Sequence, residues 1–207
     1  MLQSAVISWR TTACKAEMHW PLWTPALGFT IASFIYANSL DAEWTFDDHA
    51  AVVGNPDVMV RGDATTVAQL WRNDFWGTPL RVATSHQSYR PLTTLSFRAN
   101  ALLGGREAGR HWHVVNVAAH ALACALYAAA LRCIVFGARR PMATLVATLA
   151  FAVHPVHVEA VASIVGRADV LAGVCFLLAL LAHHAAQQRV SFIYYYSLYH
   201  MTEYFTN

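Results

Sequence analysis

The sequence is short of charge. Charged residues fill 13% of its 207 positions and hydrophobic residues 57%, with a mean hydropathy of +0.36. Average globular chains carry roughly twice that share of charge. A basic stripe is also missing. No run of Lys or Arg exceeds two and the net charge is +2, so no electrostatic footprint for nucleic acid is present. Cysteine is sparse: Cys14, Cys124, Cys133 and Cys175 form no CxxC pair. The last three lie in apolar runs and read as small core residues, not as a zinc site or a disulfide framework. No 34-residue period or repeated helical pair of tetratricopeptide type occurs.

What fills the chain is apolar sequence in long runs. Trp20 to Leu40 is 21 residues without a charge. As a helix it spans about 31 Å, the thickness of a bilayer's hydrocarbon core. A signal peptide has a shorter apolar centre, so an uncleaved signal-anchor is expected, although Ala37-Asn38-Ser39 resembles a cleavage site. The expected fold is an all-α polytopic membrane protein with about four transmembrane helices. Its parts are a cytoplasmic N-terminus (1–19), span one (20–40), a long luminal loop (41–112), span two (114–136), span three with a luminal segment (141–165), span four (168–186) and an atypical tail (190–207). Arg10, Lys15, Arg132, Arg139, Arg140 and Arg189 fall on one side if the runs alternate, and short basic loops mark the cytoplasm. The loop at 41–112 then faces the opposite side. It has no N-x-[ST] sequon that could report its orientation. The last 18 residues contain no alanine but five of the eight tyrosines, unlike the spans before them.

The loop carries eight acidic and seven basic residues. Its opening, Asp41-Ala42-Glu43-Trp44-Thr45-Phe46-Asp47-Asp48-His49, holds four carboxylates. Adjacent like charges repel unless a metal, a cationic partner or a proton in transfer uses them. The plain alternative is a solvated acidic loop at a membrane surface. Asp63 can cap a helix with Val67, Leu70, Trp71 and Phe75 at helical spacing. A second short helix is expected from Pro91 to Gly104-Gly105, Pro first and Gly last. Leu92, Leu95, Ala99, Leu102 and Leu103 form its apolar stripe; Arg90, Thr94 and Arg98 share the opposite face. Two guanidiniums on one face can grip a phosphate, or can simply face solvent or lipid headgroups.

His154, His157 and Glu159 interrupt the third apolar run. Ionisable residues at membrane depth are costly and suggest function or partnership inside a bundle. In a continuous helix Glu159 points away from His154. Pro155 can instead open a new short helix, with His154 as its N-cap and Gly166 as its end. The cluster can hold a metal with ligands from elsewhere, join spans by hydrogen bonds, or shape a cleft. Arg167 and Asp169 can pair locally.

Four strings then stand in order: Phe46-Asp47-Asp48-His49-Ala50-Ala51-Val52-Val53-Gly54-Asn55-Pro56-Asp57-Val58, Tyr89-Arg90-Pro91-Leu92-Thr93-Thr94-Leu95-Ser96-Phe97-Arg98, His113-Val114-Val115-Asn116-Val117-Ala118-Ala119-His120-Ala121-Leu122, and His154-Pro155-Val156-His157-Val158-Glu159-Ala160 continuing to Gly166-Arg167-Ala168-Asp169. Together they resemble the N-terminal membrane part of the transmembrane and tetratricopeptide-repeat-containing O-mannosyltransferases. The resemblance covers about Trp20 to Gln188. It implies a GT-C class glycosyltransferase of the endoplasmic reticulum membrane, with a GT-C-like N-terminal part. The implied donor is dolichyl phosphate mannose, and the implied acceptors are Ser/Thr of secretory-pathway proteins such as cadherins. No cofactor, metal or nucleic acid is expected; membrane lipid is. The resemblance puts Asp47 and Asp48 in the catalytic position of the first luminal loop. Arg90, Arg98 and Arg167 become candidates for the donor phosphate, and His154, His157 and Glu159 candidates for shaping the cleft. Fewer spans than a GT-C enzyme needs, no repeat array and the odd tail suggest a shortened form, weakly active or inactive. A non-catalytic membrane adaptor and a transporter are the competing readings.

Overall fold

The computed structural model describes residues 23–59, 66–107, 109–137 and 139–206, with residues 195 and 197–206 by backbone alone. The described residues are helical, without a strand; an isolated bridge joins Asn73 and Pro79. The helices are α1 (Trp23–Ile35), α2 (Val67–Leu70), α3 (Pro91–Gly104), α4 (Arg110–Ala130), α5 (Pro141–Ala152), α6 (Val158–Ala162) and α7 (Arg167–Thr206). Short 3₁₀ turns (Ala37–Asp41, Pro155–His157) and π-helical turns (His49–Val53, Leu131–Phe136) link them.

Among the described residues, two helical stretches are long and apolar enough to cross a membrane: Arg110–Phe136 and Arg167–Tyr194. A third crossing is possible if α5 and Pro155–Ala162, bent by 44°, act as one span. The helix α1 is apolar but has 13 described residues. Of the expected run 20–40, residues 20–22 lie outside the described residues, and beyond Ile35 the chain enters the 3₁₀ turn Ala37–Asp41. The chain is thus a multi-pass, all-α membrane protein.

The centre of the bundle is α4, which packs against α1, α5, α6 and α7. Small residues make this possible, since backbones can approach where side chains are short. Ala32 of α1, Ala121 and Cys124 of α4 and Ala152 of α5 form one buried cluster. Gly28 sits so close to Thr148 that an added Cβ would lie 2.7 Å from its methyl carbon. On the other side of α4, Ala123 and Ala130 meet Val174 and Leu177 of α7. Buried Thr144 and Thr148 satisfy their hydroxyls inside α5 by bonding the carbonyl four residues back. Cys133 and Cys175, expected in the core, are exposed on the outside of the bundle.

The segment between α1 and α4 packs a core of Val52, Val58, Met59, Phe75, Phe97 and Ala101, completed by Trp112 of α4 and by Ile164 between α6 and α7. Trp44 and Trp112 meet edge to face at 5.1 Å. Three local expectations meet different outcomes here. Thr66 caps α2 in a reciprocal capping box with Gln69, while Asp63 lies outside the described residues. The helix α3 has the bounds its Pro and Gly suggested. The third run breaks at His154, which caps the turn that follows: its Nδ1 accepts from the Val156 N–H at 3.2 Å. The short helix α6 ends at Ala162, before Gly166. Gly166 is needed for another reason: a Cβ there would collide with the Ala160 backbone.

The fourth run also differs. It continues as one helix through the tail to Thr206, so the change in composition at residue 190 does not end it.

Candidate functional site

The two adjacent aspartates are placed oppositely. Asp48 is 0% exposed. Its Oδ2 accepts from the Thr45 N–H at 3.0 Å and the Thr45 hydroxyl at 3.3 Å. Its Oδ1 accepts from the Val165 N–H at 2.9 Å and the Ser163 hydroxyl at 3.4 Å. Asp47 is exposed and has no hydrogen-bond or ionic partner among the described residues. The residue just before the pair, Phe46, has φ +37° and is 95% exposed. A bulky residue at positive φ is strained, and such strain gathers at functional sites.

The segment gripped by Asp48 is held from a second direction. Asn116, inside α4 and fully buried, donates to the Ser163 carbonyl at 2.7 Å. Its Oδ1 accepts from Arg167 Nε at 2.7 Å. Arg167 is itself 0% exposed. Its Nη2 donates to Asn100 Oδ1 at 2.8 Å and the Trp112 carbonyl at 3.0 Å, and its Nη1 to the Ser96 carbonyl at 3.4 Å. The guanidinium also lies over the Phe97 ring, 4.8 Å from its centroid. Asp48, Ser96, Asn116 and the 163–167 segment each come from a different one of the four strings. One hydrogen-bonded junction joins all four.

This junction corrects two expectations. Arg167 does not pair with Asp169, which is exposed. Nor does its guanidinium reach solvent, because neutral acceptors and rings enclose it. Burying a charge is tolerable only when its donors are used, and Arg167 uses them on backbone and amide oxygens.

The remaining candidates are more open. Arg90 is exposed, with its guanidinium 5.0 Å from the Phe75 ring centroid. Arg98 is half-buried, while Thr94 between them is buried, so the three do not form one solvated face. His154 is exposed and His157 half-buried; their ring centroids are 6.1 Å apart. His157 lies 5.2 Å from His120 of α4. Glu159 is exposed, and its carboxylate has no hydrogen-bond or ionic partner among the described residues. No cluster of three or more His, Cys, Asp or Glu side chains among the described residues could hold a metal.

Other acidic residues of the loop are structural. Buried Asp57 accepts from the Asn73 amide with both oxygens, at 2.9 and 3.0 Å. Asp74 accepts from the Trp76, Thr78 and His86 N–H groups and the Ser85 hydroxyl. Burial pushes its carboxyl pKa up, but these donors outweigh it and hold the pKa below the ordinary value. Asp41 forms a bidentate pair with Arg110 at 2.8 and 2.9 Å, which holds its pKa down although the pair is exposed.

Sequence reasoning missed Asn100, Asn116 and Ser163. The available signal was Asn116, an amide inside an otherwise apolar run, which needs partners if it is buried.

Comparison with known proteins finds relatives of this sequence. Over 174 residues, 79% of this chain, it is 41% identical to human protein O-mannosyl-transferase TMTC4. Against the Drosophila melanogaster protein O-mannosyl-transferases Tmtc1 and Tmtc2 the identities are 45% over 153 residues and 43% over 154, each 74% of this chain. The matched stretch is TMTC-family sequence. The chain spans 23% of human TMTC4, 17% of Tmtc1 and 16% of Tmtc2. No family model matches, and no solved structure does. The junction holds one loop, α3, α4 and α7 in fixed relation, and Asp47 lies outside it.

Proposed function

We propose that the chain carries the acceptor-activating loop of a protein O-mannosyltransferase. The observation that supports this reading is the unequal acidic pair: Asp48 is committed to the fold and Asp47 is free beside a strained turn. An alcohol is a poor nucleophile and needs a base as its bond to carbon forms. In the proposed reaction a Ser or Thr hydroxyl attacks the sugar's anomeric carbon and Asp47 takes its proton. The bond from that carbon to the phosphate oxygen breaks, and the lipid phosphate leaves with the electron pair. Cationic donors stabilise that leaving group; Arg90, exposed, is the first candidate and Arg98 the second. Arg167 acts from inside, by holding the loop in place.

The donor in this reading is dolichyl phosphate mannose, and the acceptors are secretory-pathway proteins, cadherin domains among them. The topology is four spans in the endoplasmic reticulum membrane, with α1 as the first, the N-terminus cytoplasmic and residues 41–112 luminal. His154, His157 and Glu159 border the cleft. The 207-residue stretch alone transfers weakly or not at all, because it spans under a quarter of TMTC4.

Membranes holding a full-length protein that contains this stretch, given labelled dolichyl phosphate mannose and a cadherin-domain acceptor, test the assignment. Label on acceptor Ser or Thr is expected; no label above a membrane control contradicts it. The stretch alone, assayed in parallel, should give far less label. Equal rates would overturn that part.

A further inference from the structure

A cleft opens beside the loop between α2 and α3, and Asp47 is not part of its wall. Pro56, Trp71, Arg72, Pro79, Leu80 and Arg81 line it, around a volume of about 690 Å³. That is the size of a ligand pocket, roughly 300–1,000 Å³, with room for several groups at once.

The walls are braced from within the chain. Asn73 and Pro79 form the isolated antiparallel bridge, and the Leu80 N–H donates to the Arg72 carbonyl at 3.0 Å. The Asp74 N–H donates to the Thr78 carbonyl at 2.8 Å and closes the turn between them. Gly77, inside that turn, has φ +84°, and a Cβ there would lie 2.7 Å from the Pro56 ring. The turn is thus pressed against the opposite wall. Outside it, the Trp71 carbonyl accepts from the Tyr89 hydroxyl at 3.1 Å, and the Leu80 carbonyl from the Gln87 amide at 2.9 Å. A site fixed in this way loses little freedom when a ligand enters.

The charge in the cleft has one sign. Arg72 and Arg81 are exposed, and neither guanidinium has a hydrogen-bond or ionic partner among the described residues. The nearby carboxylates are spent inside the loop: Asp57 on the Asn73 amide, Asp74 on three N–H groups and a hydroxyl. Two cations lining one cleft repel unless an anion uses both. The other walls tell which anion. A site for lipid headgroups sets its cations beside an apolar face that enters the lipid. Here Pro56, Pro79 and Leu80 line the same cleft as the charges, and the Trp71 ring is 43% exposed. Arginine clusters receive acidic motifs, and aromatic-lined grooves receive extended chain.

We propose that this cleft binds an extended, carboxylate-rich segment of the acceptor polypeptide, in addition to the hydroxyl that reacts at Asp47. Carboxylates of the segment pair with Arg72 and Arg81, and its backbone runs over Trp71 and the two prolines. Ser and Thr residues with acidic neighbours are thereby preferred. That the occupant is an acceptor rests on the transferase reading above; the binding itself does not.

The test uses the 207-residue chain in neutral detergent and a fluorescein-labelled peptide of alternating Asp and Ser, read by fluorescence anisotropy. A second peptide carries Asn in place of every Asp. The Asp peptide should bind and the Asn peptide should not. Arg72→Gln together with Arg81→Gln should weaken binding about five- to tenfold, as two exposed charge pairs allow, and leave the thermal transition unchanged. Arg139→Gln together with Arg140→Gln removes the same charge from the exposed basic loop before α5 and should leave the affinity unchanged. Equal weakening by both double variants would overturn the proposal by reducing it to net charge. Equal binding of the two peptides, or no binding of the Asp peptide, would overturn it as well. In a full-length protein that transfers mannose, the Arg72 and Arg81 double variant should raise KM for an acidic acceptor about five- to tenfold at unchanged kcat. An unchanged KM would overturn the cleft and leave the reaction standing. Peptide binding as described with no transfer would do the reverse.

Discussion

Two groups of polar residues sit in apolar helical sequence, and they are built on different terms. The Arg167 guanidinium makes four hydrogen bonds, to Ser96 and Asn100 of α3 and to Trp112 and Asn116 of α4. The histidine group of His120, His154 and His157 is held mainly by ring contacts. His120 meets Tyr36 edge to face at 5.1 Å and Phe151 at 6.1 Å, and its Nε2 lies 3.5 Å from the Ala152 carbonyl. His157 packs on Phe151 at 4.5 Å. The comparison shows that polarity at this depth is not a single signal. The junction fixes the position of the loop through directional bonds that no apolar side chain can copy. The histidine group fills space at the break between α5 and the turn after it, where other rings can serve.

That difference can be broken experimentally, starting with the junction. Arg167→Leu leaves amide and carbonyl oxygens buried without donors, at about 1–3 kcal/mol for each one left unsatisfied. The expected result is loss of the folded state, seen as a collapse of the thermal transition in detergent. Arg167→Lys keeps a charge but not the fork, so an intermediate loss is expected. An unchanged transition for Arg167→Leu would show that the junction is not needed.

Asp74 gives a smaller, pH-dependent effect. Its folded pKa lies below its unfolded one. Its contribution is therefore full above the unfolded value, about 3.9, and is lost as pH falls through the folded value. Asp74→Asn should lower the transition by about 1 kcal/mol near neutral pH, and the gap from the parent should close as pH drops below about 4. A gap that stays constant with pH would contradict this.

The smallest effect is expected at the histidine group. His157→Phe keeps a ring against Phe151, so stability should change by less than about 1 kcal/mol. A loss as large as that of Arg167→Leu would erase the distinction between the two groups.

How much of this was legible in the sequence depended on whether the signal was local. Pro91 and Gly104 gave the bounds of α3 because they act on their own backbone. His154 before Pro155 gave the break and its cap in the same way. The apolar runs gave the central spans. What the sequence did not show was direction. The stripe on α3 was visible, but nothing in its spacing said that Leu92, Leu102 and Leu103 would be exposed. The charge of Arg167 suggested a phosphate ligand, because the acceptors that enclose it come from residues up to 71 positions away. Likewise Asp47 and Asp48 were indistinguishable as text. The turn at Phe46 and the bonds to Ser163 and Val165, 115 and 117 positions off, separate them.

The central claim is that this acidic pair divides its work, with Asp48 holding the loop and Asp47 left for chemistry. The direct measurement is Asp47→Asn and Asp48→Asn, made separately in a full-length protein, with thermal stability and mannose transfer read on the same preparations. Asp47→Asn should leave the thermal transition unchanged and abolish transfer. Asp48→Asn should lower the transition, with any loss of transfer following the loss of folded protein. Full transfer by a stable Asp47→Asn variant would contradict the account.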